Sequence, residues 1–304
     1  MFDNVHPWMI PITFFYLVVI PIGISGNFIM ILCFFKNPRL RAPFHILLSL
    51  TCLADLFHVC GQIFFVYHLL SESTISQSTC FFVNILPIIG LTTAGPLLLQ
   101  IGLDRIFAVT FPFRYRNCQS QQKIQYTLLH LIFPIVYCSL IMYLGYRERD
   151  LEKQVRCAIP TSLTGDSFKV FTLSSHAIYV SIIITYFTTI VLLRMRDASS
   201  RFKFAFKSIL LSSALLLFGW AITSVSNTFG YYLTSNEQIF ELVQIYSGIT
   251  VNIACSSNLF IFYMINPEYR ETIRSILKIT PGIPKYIDSL NSGGAAGAGL
   301  IKNV

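Results

Sequence analysis

Two opposite charges, Asp104 and Arg105, sit side by side where a long apolar run ends, followed by Ile106-Phe107-Ala108-Val109-Thr110-Phe111-Pro112-Phe113-Arg114-Tyr115. Such a pair can close on itself or open toward a partner. Charges are expensive inside a bilayer and are seldom placed there without a use, so the chemistry this pair suggests is that of a switch. Another carboxylate, Asp55, lies in the middle of a separate apolar run and needs polar company there. Catalytic signatures are missing: the sequence has no Gly-x-Ser-x-Gly, no Cys-x-x-Cys and no His-x-x-x-His, and His6, His45, His58, His68, His130 and His176 are scattered. We therefore expect neither an enzyme nor a bound cofactor.

The elements that must carry these residues follow from composition. The chain has 304 residues, 54% of them hydrophobic and only 12% charged, whereas soluble domains are about 25% charged. Apolar runs at 9–35, 44–70, 80–111, 122–146, 170–196, 203–233 and 238–265 each exceed the ~20 residues needed to cross roughly 30 Å of hydrocarbon. They are continuous and lack alternation, which favours helices over a membrane barrel. The expected fold is all-α: an integral seven-helix bundle filling 1–280. Pro87 and Pro96 should bend the third helix. After the seventh run, Pro267 opens a stretch with Ile273, Ile276 and Leu277 at helical spacing, read as a short amphipathic helix over 267–278 on the membrane surface. Residues 281–304, rich in Gly, Ala and Pro, read as a flexible tail.

Basic residues set the expected orientation. Arg147, Arg149, Lys153, Arg156 and Lys169 share one loop with Glu148, Asp150, Glu152 and Asp166; the rest of the 22 Lys and Arg fall on the opposite side or in the tail. This gives a multi-pass plasma-membrane protein with an extracellular N-terminus and a cytoplasmic C-terminus, its first helix serving as signal anchor. The net charge of +8 is dispersed over short loops, so we expect no nucleic-acid partner and attribute it to topology and the anionic inner leaflet. Of eight cysteines, only Cys80 and Cys157 then face the oxidising side, and they are the expected disulfide.

Taken in order, these residues resemble a known family. Gly26-Asn27, Leu50-x-x-Leu53-Ala54-Asp55, Cys80 placed 25 residues ahead of Arg105, Asp104-Arg105-Ile106 with Pro112 and Tyr115, Trp220, Asn258-Leu259-Phe260-Ile261-Phe262 and then Tyr269 stand at the spacing of rhodopsin-like G-protein-coupled receptors. Within that class the chain is similar to nematode serpentine chemoreceptors of the SX class. It departs from the common pattern at Ile222, Leu259 and Phe262, where proline, proline and tyrosine are usual, and its fourth run has no tryptophan.

The resemblance implies a G-protein-coupled chemosensory receptor whose partners are a small extracellular ligand, the bilayer and a heterotrimeric G protein, with sensory cilia as one location. Asp104 and Arg105 would pair at rest; Arg105, once released, would meet the Gα subunit while Tyr186 holds the freed guanidinium and Phe113 inserts into a Gα pocket. No acid lies between Asp197 and Glu237, so Arg105 is expected to have Asp104 as its acidic restraint and basal signalling to be appreciable. Asn27, Asp55 and Asn258 would form a polar hub, which in that family can hold Na⁺. Ala94 occupies the third-helix position that usually adds a hydroxyl to it. Trp220 would floor the ligand cavity, with Asn84, His176, Tyr179, Asn227, Gln244 and Asn252 as ligand-facing candidates. Pro87 stands where amine receptors carry aspartate, which argues against an amine ligand. Two other readings remain open: a peptide ligand on the same fold, or a ligand-gated channel or transporter, which would want repeats or several pore-facing charges.

Overall fold

A computed structural model describes residues 9–195, 200–233 and 237–279; the side chains of 200–205, 224, 227–233, 237–242 and 244 lie outside that description, as do the 281–304 tail and the candidates Asn227 and Gln244. The expected bundle is present. Met9–Lys36 (α1), Pro43–Leu70 (α2), Ile85–Thr110 (α4), Lys123–Arg147 (α6) and Gly165–Met195 (α7) are long and apolar enough to span, as is Phe206–Thr223 within Ser200–Leu233 (α8). The seventh span is a bent pair, Glu237–Ser256 (α9) and Asn258–Ile265 (α10), whose apolar parts meet at 41°. Central α4 packs against α2, α6 and α7, while α1 lies on α2 and α8 on α9. Apolar side chains such as Leu129 and Val136 of α6 and Leu173 and Phe187 of α7 point outward, where hydrocarbon suits them and water does not.

The expected continuous third span, 80–111, is corrected by the structure. It divides into Gln77–Val83 (α3) and α4, with Asn84 capping the first and opening the second. Pro87 has no N–H to offer the carbonyl four residues earlier, so the ladder is already weakened beside this break. The expected seventh run, 238–265, is likewise interrupted at Ser257 without a proline. Asn27 Nδ2 donates to the Cys255 carbonyl at 2.9 Å, the acceptor that an unbroken ladder would offer Leu259 N–H, and Ser257 N–H pairs with Ala254 O at 3.1 Å. A side chain inserted into the ladder is a known cause of such bends.

Three further differences concern loops. Pro112–Gln121 forms a helix (α5) begun by Pro112 at its first turn; Pro is pre-organised for that position. Ile75–Ser76 (β1) pairs antiparallel with Gln154–Val155 (β2), Ile75 opposite Val155. The fifth span begins at Gly165, before the expected 170, because Glu148 serves its end: Glu148 Oε2 accepts Ser167 N–H at 2.8 Å. Gly165 has φ +55°, and a Cβ there would stand 2.9 Å from Glu148 Oε2. Gly165→Ala should therefore cost about 1–2 kcal/mol, seen as a lower Tm of the protein in lipid nanodiscs.

The short final helix, Pro267–Ile276 (α11), ends two residues before the expected 278. Asn266 starts it, its Oδ1 accepting Glu268 N–H at 3.0 Å. Tyr269 and Ile273 are buried against the bundle. The Tyr269 hydroxyl lies 3.1 Å from His45 Nδ1, and Asn37 Nδ2 donates to Thr272 Oγ1 at 2.8 Å.

Candidate functional site

Asp104 is fully buried and Arg105 nearly so. Arg105 Nε donates to Asp104 Oδ2 at 2.9 Å, and Arg105 Nη2 makes a second, shorter contact to the same oxygen. A buried ion pair rarely repays its own desolvation unless further hydrogen bonds satisfy the charges. Here they do. Tyr126 of α6 donates its hydroxyl to Asp104 Oδ1 at 3.0 Å. Tyr115 of α5 accepts from Arg105 Nη2 at 2.8 Å and faces Asp104 Oδ2 at 3.4 Å. Burial pushes the Tyr115 phenol up to about 12, against the pull of the Arg105 charge, so it remains a donor at physiological pH. The guanidinium also lies over the Phe44 ring of α2, 4.3 Å from its centroid, a favourable cation–π distance. Three elements, α2, α5 and α6, therefore close on the charge pair that α4 carries.

Nearer the middle of the bundle, Asn27, Asp55 and Asn258 meet as the sequence suggested. Asn258 Nδ2 donates to Asp55 Oδ2 at 2.7 Å and to Asn27 Oδ1 at 3.1 Å. Asn258 Oδ1 in turn accepts from Ser212 Oγ of α8 at 2.7 Å. The hub thus joins α1, α2, α8 and α10. Asp55 Oδ1 has no nitrogen or oxygen hydrogen-bond partner among the described residues, and neither has His58 Nε2. Both residues line a small cavity of about 10 Å³ shared with Gly90, Ala94, Tyr179 and Trp220.

The end of the bundle away from Asp104 is stapled by the Cys80–Cys157 disulfide. Asn84 Nδ2 reaches Ser162 Oγ at 2.9 Å and Cys157 Sγ at 3.1 Å. Gln77 Nε2 donates to the Ser162 carbonyl at 2.7 Å, and its Oε1 accepts Asp150 N–H at 2.8 Å. Asp150 Oδ1 holds Glu152 N–H and Lys153 N–H, and these bonds keep its carboxyl below the usual carboxylate range. Ile159 and Leu163 are buried beneath this loop, with Ile159 beside Pro87 and Gly61.

The sequence model of the serpentine type 7TM GPCR chemoreceptor Srsx family matches residues 20–277. The chain belongs to this family. Mouse Olfactory receptor 2V1 is 26% identical to it over 253 residues, covering 74% of this chain and 78% of that receptor. Human Olfactory receptor 2T34 is 32% identical over 108 residues, 34% of this chain and 33% of that receptor. The Srsx protein is thus a multi-pass membrane receptor of the chemosensory G-protein-coupled class, which is not enzymatic.

In this Srsx receptor the ligand-facing candidates separate. Tyr179 and Trp220 stack, centroids 5.7 Å apart, and Phe171 meets Trp220 edge-on at 6.4 Å. Asn252 Nδ2 turns to Gly248 O and, at 3.3 Å, to the Tyr16 hydroxyl. Asn84 is committed to the disulfide loop, and His176 is exposed with Nδ1 2.6 Å from Thr172 O. Tyr186 directs its hydroxyl to Leu98 O at 3.2 Å and stacks on Phe206, so in this state it is not the guanidinium's holder. Phe113 projects from α5, 86% exposed. Sequence reasoning did not assign roles to Tyr115, Tyr126, Phe44 or His58. Tyr115 had a signal in its motif position; the other three are brought in by packing alone.

Proposed function

We propose that this Srsx receptor detects a small, largely apolar molecule from its disulfide end and passes the signal to a heterotrimeric G protein at its Asp104 end. The observation that carries the reading is the enclosure of Asp104–Arg105 at one mouth of the bundle by α2, α5 and α6. A charge pair so completely satisfied at rest holds its guanidinium away from any partner, and opening it exposes a cation where a Gα helix can reach. The orientation rests on Arg39, Arg41, Arg114, Arg116, Arg270 and Arg274, which gather toward that end of the chain's loops, as the cytoplasmic side of a membrane protein requires. Exposed Phe113 on the same surface supplies an apolar anchor for the partner.

A loop seated over the other mouth by Ile159, which packs beside Pro87 and Gly61, favours a small ligand over a peptide. In cells carrying a promiscuous Gα, Arg105→Ala is expected to bring ligand-evoked second messenger down to the level of cells without the receptor, while surface expression stays at the parent level. A ligand-evoked current that persists without G protein would instead establish a channel.

A further inference from the structure

We infer that the cavity beside Asp55 binds a single water, bridging Asp55 Oδ1 to His58 Nε2, and not the sodium ion that the resemblance implies for this hub. Both atoms are buried, neither has a nitrogen or oxygen hydrogen-bond partner among the described residues, and both residues line the same cavity, where the weakly donating Cys255 thiol is the other polar group against Asp55. Buried polar atoms of this kind are normally satisfied, by protein or by ordered water. A cavity of about 10 Å³ holds about one water, provided that polar partners are present, and here there are two from one helix, a turn apart on α2. The water donates to the carboxylate oxygen; its role toward His58 follows the imidazole tautomer.

The donor set explains the choice of guest. A hard cation asks for several oxygen ligands. The hub's other oxygens are already engaged: Asp55 Oδ2 and Asn27 Oδ1 accept from Asn258, and Asn258 Oδ1 accepts from Ser212. Ala94 offers no hydroxyl, and the neighbouring Thr93 Oγ1 donates back to Ile89 O at 2.6 Å. The remaining described lining is aliphatic, aromatic, imidazole and thiol, with the Tyr179 phenol as its other side-chain oxygen. One carboxylate oxygen, a phenol and a ring nitrogen make a poor cation site and a good water site.

Two measurements on the full-length receptor in lipid nanodiscs test this. Thermal unfolding is followed in NaCl, KCl and choline chloride titrations at constant ionic strength. The expected result is the same Tm in all three; a saturable rise specific to Na⁺ that Asp55→Asn removes overturns the inference, since a ligand of the folded state raises Tm by mass action. This arm needs no variant to fold in order to give the expected result. The second measurement is the cycle of Asp55→Asn, His58→Leu and the double variant. A shared water makes their Tm losses less than additive, because either change alone removes the bridge; additive losses overturn it.

Discussion

Tyr126→Phe is expected to raise ligand-independent signalling per surface receptor by about tenfold. The substitution keeps the ring, which lies 5.9 Å from Phe107 and 4.7 Å from His130, and removes only the hydroxyl that donates to Asp104 Oδ1. A hydrogen bond to a charged group contributes about 1.5–3 kcal/mol, and each 1.4 kcal/mol shifts a two-state population tenfold. That loss falls on the closed arrangement, because the open one has already released the pair. Tyr115→Phe should act in the same direction, and because both phenols serve one carboxylate their effects should not simply add. The measurement is basal second messenger in ligand-free cells, normalised to surface receptor by antibody labelling. A purely architectural role predicts fewer receptors at the surface with unchanged output from each; that outcome would remove the phenols from the switch. The absence of an acid between Asp197 and Glu237 pointed to a loosely held Arg105. The phenols supply restraint from helices that a search for carboxylates does not reach.

Gly90→Val should be the most damaging substitution for stability, costing more than about 3 kcal/mol. A Cβ at Gly90 would press on the Ala54 carbonyl oxygen and stand 2.8 Å from His58 N, both of them backbone atoms of α2. Overpacking against side chains costs about 1–3 kcal/mol because rotamers can yield; here the obstacle is the helix itself, so α2 and α4 must separate. Since these two helices carry Asp55, His58 and the Asp104–Arg105 pair, both hub and charge pair lose their geometry together. Surface expression and Tm in nanodiscs measure the effect, and near-parent values for Gly90→Val would contradict the close approach. Gly90→Ala, with only one added carbon, should be intermediate.

Much of the bundle could be read directly from the chain, for physical reasons that vary by residue. Seven long apolar runs leave few alternatives once backbone groups must be satisfied within lipid. Asn27, Asp55 and Asn258 are polar residues with nowhere to go but each other, and they meet. Cys80, at the very edge of a run, and Cys157, in a loop, are the cysteines that the sequence places on one side, and they are bonded. What escaped the sequence depends on neighbours far along the chain. Asn84 reads as ligand-facing because it is polar near a helix mouth; whether such a residue meets a ligand or a loop depends on where Ser162 lands, 78 residues later. The break at Ser257 has no proline or glycine to announce it, since its cause is the Asn27 amide of another helix. Tyr126 and Phe44 carry no motif, and join the enclosure of the charge pair only because α6 and α2 pass beside α4. Helix α5, by contrast, has a local signal, in Pro112 followed by ten residues free of glycine.

The staple at the disulfide end has a mechanical consequence. A rod clamped at one end can deliver displacement only at the other. The first turn of α4 is clamped by Asn84, by Ser162 and by the covalent link from α3, so a push against its middle, where Gly90 and Ala94 border the cavity, has its free travel at Asp104. Strain applied at that point is therefore relieved toward the charge pair, where side-chain hydrogen bonds and ring contacts hold α4, and not toward the covalent clamp.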